Sequence, residues 1–180
     1  RLYALEFAAL GERLRDRLDL RRVDPTYDLH FDDGSTFTLT SDPEHMRLQM
    51  EAIEPGSFAP LQAYLEEGGR HYRLLVDRIA RRNFRTLGEH VTPSNMLVAL
   101  QMHAHRTHYG RTGDFFHTDR LRTIFSFQDM YVGISPFRGR ATLSMMQYTE
   151  LVEGVWYPTG GMSRIADALC DLAVERGAEL

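Results

Sequence analysis

Lysine is missing from this chain, and cysteine and tryptophan occur once each. All 21 basic residues are therefore arginine, a bias of composition from which no function is drawn. The single cysteine, Cys170, excludes an internal disulfide and every multi-cysteine metal motif. Its place on the last amphipathic segment reads as inert packing. No apolar run approaches the ~18 residues of a membrane-spanning helix, and no signal-peptide pattern opens the chain. A membrane would therefore be touched from its surface. The net charge of −4 is a balance of mixed signs, which offers no overall field to nucleic acid, so nucleic acid is not an expected partner. A Gly-x-Ser-x-Gly elbow, a Walker loop and a complete Gly-x-Gly-x-x-Gly are also absent, as are internal repeats and low-complexity linkers.

What remains suits one domain or a large piece of one, since 180 residues can bury a real core. Arg1 opens the chain without a methionine, and Ala178-Glu179-Leu180 reads as the start of a strand. Both ends are expected to be cuts within a longer protein.

Residues 1 to 18 place Leu2, Leu5, Ala9 and Leu14 among Glu and Arg in a helical pattern that Gly11 interrupts. The period then falls to 2. Tyr27, Leu29 and Phe31, and after them Phe37 and Leu39, alternate with polar residues around Asp33-Gly34, which predicts a β-hairpin. Asp42 followed by Pro43 predicts a capped helix with Met46, Met50 and Ile53 inward and a stop at Pro55-Gly56.

From Ser57 a longer helix is expected, with Phe58, Leu61, Leu65, Tyr72, Leu75 and Ile79 as its stripe. Gly68-Gly69 interrupts that stripe at a cost of roughly 2 kcal/mol against alanine. A kink or a close-approaching partner should explain the pair. The segment ends in Arg70, Arg73, Arg78, Arg81, Arg82 and Arg85. These either complement the dipole at the helix C-terminus or face an anion or anionic lipid. Thr92-Pro93 caps a helix from Ser94 to about His105 with Met96, Leu97, Leu100 and His103 or Ala104 on its apolar face. Asp119 to Phe127 is a further helical segment with Leu121, Ile124, Phe125 and Gln128 on one side. Tyr109 to His117 between them reads as a Gly- and aromatic-rich loop. Helices with one early hairpin and short later strands give an α+β class.

His103, His105 and His108 invite a metal reading. On a helix, however, 103 and 105 point to different faces, and 105 and 108 have no neighbouring carboxylate or cysteine, so no metal site is expected. Glu150 and Glu153 read as a solvated helix end. From Phe125 to Tyr157 the chain crowds together aromatics and methionines, which serve equally as core packing or as the enclosure of a long apolar ligand. Within this region, Tyr148 to Met162 runs from an acidic helix end through the strand Val155-Trp156-Tyr157 to Pro158-Thr159-Gly160-Gly161. Two residues without side chains there admit close approach of backbone to a planar or phosphorylated group. A helix follows, with Met162, Ile165, Leu169, Leu172 and Ala173 inward and Gly177 as its stop.

Three segments, LDLRRVDPTYDLHFDDGS (Leu18 to Ser35), FSFQDMYVGISPF (Phe125 to Phe137) and QYTELVEGVWYPTGGM (Gln147 to Met162), carry a resemblance to the phytoene desaturase family. These are FAD-dependent carotenoid dehydrogenases. Their order and intervals match over nearly the whole chain. The resemblance implies the middle of such an enzyme: residues 1–157 as a substrate-binding, membrane-facing portion, and residues 158–180 as the return into the FAD-binding part. The N-terminal dinucleotide fingerprint and the C-terminal flavin segment would lie outside it, and the fragment alone would be inactive. Tyr148 to Val152 would end the substrate chamber.

The implied reaction removes hydrogen from a long isoprenoid such as phytoene, with FAD as hydride acceptor and quinone or oxygen as terminal acceptor, in a protein bound peripherally to the cytoplasmic side of a membrane. By the same resemblance, Gly160 and Gly161 lie near the flavin, and Phe127, Tyr131 and Tyr148 line the substrate tunnel. Arg73 matches a family arginine proposed for catalysis, while Arg70 stands where a family member has an aspartate. A saturase or oxidase acting on another carotenoid, and a non-catalytic lipid-binding module, are the alternatives.

Overall fold

The structure, a computed structural model, describes residues 2–80, 82, 83 and 85–179. In chain order the elements are α1 (Leu2–Ala9), α2 (Leu14–Arg17), β1 (Leu20–Val23), β2 (Tyr27–His30), β3 (Thr36–Leu39), α3 (Pro43–Ile53), α4 (Phe58–Leu75), α5 (Leu87–His90), α6 (Pro93–Gln101), α7 (His108–Thr112), α8 (Asp119–Ile124), α9 (Met145–Tyr148), β4 (Val155–Pro158) and α10 (Ser163–Glu175). Short 3-10 turns cover Phe127–Val132 and Ala141–Ser144, and wider π-type turns follow α4 and α9. The chain is mostly helical with short strands, as expected. No helix among the described residues is long and apolar enough to cross a membrane.

Two compact units divide the chain. One joins the residues up to Asp24 with those from Glu153 onward, and the other is Pro25–Val152. In the first unit β1 pairs antiparallel with β4, from Leu20 opposite Pro158 to Val23 opposite Val155. Phe7, Leu18 and Ala168 form its core with Leu14, Leu20 and Ile165 against them. Arg17 grips Glu175 through two bonds of 2.7 and 2.8 Å. The inward stripe of α10 is Ile165, Ala168 and Leu172. Met162 and Leu169, expected inside, are exposed; the helix starts only at Ser163, which leaves Met162 before it. Cys170 is exposed rather than packed. Gly177 takes the left-handed φ of +87° that ends the helix. Ala178 and Glu179 are not in a strand.

In the second unit β2 and β3 form the expected hairpin, Tyr27 opposite Leu39 and His30 opposite Thr36, with Gly34 at φ +80°. Phe37 and Leu39 are buried with Met46 and Met50 of α3. Asp42 caps α3 by accepting from the amides of Glu44 and His45. The core continues through Leu61, Tyr64, Phe116, Leu121, Ile124, Phe125 and Leu151.

Several sequence expectations change here. The face that α4 buries is Leu61, Tyr64, Glu67, Gly68, Gly69 and His71, whereas Leu65, Tyr72, Leu75 and Ile79 are only half-buried. Helix α6 ends at Gln101, and His103 adopts a positive φ of +52°. Its apolar residues Met96, Leu97 and Leu100 lie in solvent, each more than half exposed, while Val98 is buried. Residues 108–112, expected as loop, form α7, because the Thr107 side chain caps the amide of Gly110 at 3.1 Å. Helix α8 stops at Ile124, although Leu121, Ile124, Phe125 and Gln128 do share the buried side.

Candidate functional site

The double glycine of α4 is the hinge of the site's geometry. Added at Gly68, a Cβ would sit 2.6 Å from the carbonyl oxygen of Ser144; at Gly69 it would meet the Tyr148 ring at 2.8 Å. Both are closer than any real Cβ contact, so a close-approaching partner, α9 and the turn before it, explains the pair. Tyr148 is also set against Tyr72, ring centroids 6.0 Å apart.

Beside this contact lies an apolar groove of about 450 Å³. Its walls come from the start of α3 (Met46), the first half of α4 (Phe58, Leu61, Leu65), the end of α9 (Tyr148) and the segment after it (Leu151, Val152). Polar groups are few, Gln62 and Glu66 at one side and Thr40 and Ser41 at another. Such a volume and lining suit part of an apolar ligand.

Phe127 and Tyr131 stand together elsewhere in the same unit, forming with Tyr27 a trio whose centroids are 6.0 to 6.4 Å apart. Glu150 joins them. The Tyr27 hydroxyl donates to Glu150 Oε2 at 3.3 Å, and the Gln128 amide donates to the Tyr27 oxygen. Burial pushes the Glu150 carboxyl above its ordinary range, against the hydrogen bonds from Tyr131, Tyr27 and Gln128 that favour its charge. Burial likewise raises the Tyr27 and Tyr131 phenols. Glu150 is therefore no solvated helix end. Its partners Tyr27 and Gln128 are distant in sequence, which is why spacing alone missed it.

A second polar cluster sits on the face that α4 buries. Glu67 is 3% exposed and accepts from Arg111 through Nε at 2.9 Å and Nη2 at 2.5 Å. One turn on, His71 is 1% exposed and its Nδ1 faces the Ser144 hydroxyl at 2.9 Å. Burial, with further contributions from His103, Arg70 and Arg111, lowers the His71 pKa to about 4 against the opposing pull of Glu67. His103 Nε2 lies 3.7 Å from Glu67 Oε2. His108, by contrast, is sealed in the core between Asp129 (2.7 Å) and the Tyr64 hydroxyl (2.9 Å), and Tyr64 donates to the Phe125 carbonyl at 2.6 Å.

Arg73, on the last turn of α4, is exposed, and Arg70, Arg78, Arg82 and Arg85 are exposed as well; Arg81 lies outside the described residues. Gly160 and Gly161 belong to the other unit, at φ +91° and +103° in the turn between β4 and α10. Thr159 anchors that turn to Asp19, its amide to the carbonyl at 2.8 Å and its hydroxyl to the carboxylate at 2.6 Å. Within 4 Å a Cβ on Gly161 would meet only the Tyr157 hydroxyl, at 3.9 Å, and no side-chain hydrogen bond caps the start of α10. The turn therefore fits close approach of a planar or phosphorylated group such as a flavin.

Residues 5–180 match the family model of flavin containing amine oxidoreductases, and the chain belongs to that family. The resemblance to phytoene desaturases is borne out. The chain is 40% identical over 171 residues to a zeta-carotene-forming phytoene desaturase of Myxococcus xanthus, covering 95% of this chain and 33% of that protein. It is 38% identical over 180 residues to a phytoene desaturase of Cercospora nicotianae, covering 99% and 29%. A carotenoid 3,4-desaturase of Haloarcula japonica is 30% identical over 172 residues, covering 95% and 35%. The chain thus spans about a third of the length of the curated relatives it matches.

Proposed function

We propose that this chain is the substrate-binding portion, with the return into the flavin-binding part, of a FAD-dependent desaturase that dehydrogenates a long isoprenoid such as phytoene. The apolar groove beside Tyr148 carries the reading. It offers a hydrocarbon chain a groove of about 450 Å³ with mostly apolar walls, in a segment whose relatives are named phytoene desaturases. Residues 1–157 contribute the substrate-binding portion. Residues 158–180 lead back to the flavin, with β1 accompanying them through its pairing with β4.

When bound, FAD supplies the hydride acceptor. The chain supplies position and dryness. Tyr148, braced on Gly69 and Tyr72, orients the polyene along the groove, while Phe127 and Tyr131, grouped with Tyr27, offer a separate aromatic surface to the same substrate. Gly160 and Gly161 admit the flavin to the backbone. Arg73 provides a fixed positive charge rather than a base, since a guanidinium keeps its proton. The exposed apolar residues Val91, Met96, Leu97 and Leu100, with the arginines of 70–85, rest on the anionic, cytoplasmic surface of a membrane that delivers the substrate and a quinone; oxygen is the alternative electron acceptor.

The test is full-length protein with FAD and phytoene-bearing liposomes. Desaturated product is expected, with liposome binding weakened by Leu97→Asp and by high salt. Turnover of an amine but not of phytoene would overturn the reading. A saturated or oxygenated product would assign the saturase or oxidase alternative, and binding of phytoene without flavin the lipid-binding one.

A further inference from the structure

We propose that Glu67, His71 and His103 form a binding site for one divalent transition-metal ion, zinc by ligand chemistry. Glu67 and His71 stand four apart on α4, so one helical turn puts both on the same buried face. His103 comes from the turn that ends α6. Each offers a ligand atom, and these atoms all lie within 4.8 Å of one another. Tetrahedral zinc with bonds of about 2.0–2.1 Å sets its ligands about 3.4 Å apart. Glu67 and His103, at 3.7 Å, are close to that spacing already.

Two further observations point to a ligand. His71 Nε2 is buried and has no protein hydrogen-bond partner among the described residues, which leaves its desolvation uncompensated. Its Nδ1 is held by the Ser144 hydroxyl. Donation from Nδ1 to that oxygen puts the lone pair on Nε2, the arrangement by which an outer hydrogen bond orients a metal-ligating imidazole. His103 is also the one non-glycine residue with positive φ among those described. A left-handed backbone is unfavourable for an L-residue, and here it accompanies an imidazole whose ring centre lies 6.0 Å from that of His71.

Arg111 does not close the site. A carboxylate has about four lone-pair positions, and the guanidinium takes two. It fixes the Glu67 carboxylate from outside, while Asp114, paired with both Arg111 and Arg106, offsets its charge. Two imidazoles and one carboxylate select zinc, cobalt or nickel over magnesium or calcium, which require mostly oxygen ligands. Three protein ligands leave a fourth position open, and the ion would tie α4 to the turn after α6.

The test is titration of chelator-stripped, purified protein with zinc by calorimetry and with cobalt by visible absorption. One tight equivalent is expected, with the cobalt spectrum of a four-coordinate site and a melting midpoint that rises with zinc. His103→Asn keeps a residue that tolerates left-handed backbone and should weaken binding by at least 100-fold. Ser144→Ala should weaken it about 10- to 100-fold. The exposed His117→Gln should leave it unchanged. Absence of a stoichiometric equivalent in the unaltered protein, or an equivalent retained in full by both His103→Asn and His71→Gln, would overturn the site.

Discussion

Tyr148 lays its ring against Gly69 so closely that a methyl group there would come 2.8 Å from the aromatic edge, while one on the neighbouring Gly68 would come 2.6 Å from the Ser144 carbonyl oxygen. The first obstacle is a side chain that can swing away. The second is backbone and cannot.

Alanine at these positions should therefore act unequally. Each substitution gains roughly 1 kcal/mol of helix propensity, but overpacking against an unyielding neighbour costs about 1–3 kcal/mol or more. Gly68→Ala should destabilise by about 2 kcal/mol net in denaturant unfolding and Gly69→Ala by less. Tyr148→Ala should relieve the cost of Gly69→Ala and not that of Gly68→Ala, a coupling that a double-mutant cycle reads directly.

Removing Arg111 should leave Glu67 buried without its counter-ion. Arg111→Ala is expected to cost about 3–5 kcal/mol, and combining it with Glu67→Gln should recover much of that loss. Burial alone would raise the Glu67 pKa, yet the Arg111 hydrogen bonds hold it below its ordinary value. This stabilisation is complete above the unfolded carboxylate range near 4.3 and disappears as pH falls through the folded pKa. Unfolding midpoints between pH 3 and 7 should therefore drop more steeply toward acid for the natural protein than for the double variant.

Glu150 should behave in the opposite sense. Its folded pKa is raised by burial, so its contribution is most favourable below the unfolded value and is lost as pH rises through the folded one. Glu150→Gln should then raise the melting midpoint at pH 7 to 8 and leave it nearly unchanged at pH 4. An equal shift at both pH values would mean the carboxyl carries no such cost.

If the groove takes hydrocarbon, filling it should block uptake without unfolding the unit. Ala59 is exposed on the first turn of α4 and lines the groove. Ala59→Trp in full-length protein should cut phytoene turnover about 10-fold or more while the melting midpoint moves little. Unchanged turnover would place the substrate elsewhere.

Local signals were legible and distant pairings were not. The hairpin around Gly34, the Asp42 and Thr92 caps and the Gly68-Gly69 approach follow from chemistry within a few residues, and the structure has all of them. Strand β1, with Arg21 and Arg22 at its centre, carries no apolar alternation; it is a strand because β4 pairs with it. Glu67, His71 and Glu150 look like solvent-facing residues until Arg111, Ser144 and Tyr27 arrive from other elements. The apolar residues of α6 read as a packed face because periodicity says which residues share a side and not what covers that side. The resemblance grouped Tyr148 with Phe127 and Tyr131, whereas Tyr148 lines the groove and the other two stand with Tyr27 in a separate trio.

Val23 and Val155 sit opposite each other in the β1–β4 ladder, and the whole of Pro25–Val152 lies between them in the chain. The polypeptide thus leaves the first unit and re-enters it through hydrogen-bonded neighbours, as it would across a tight hairpin. The inner unit is thus joined to the ladder at its two strand ends, so exchanging that segment at these two valines leaves every paired residue of β1 and β4 in place.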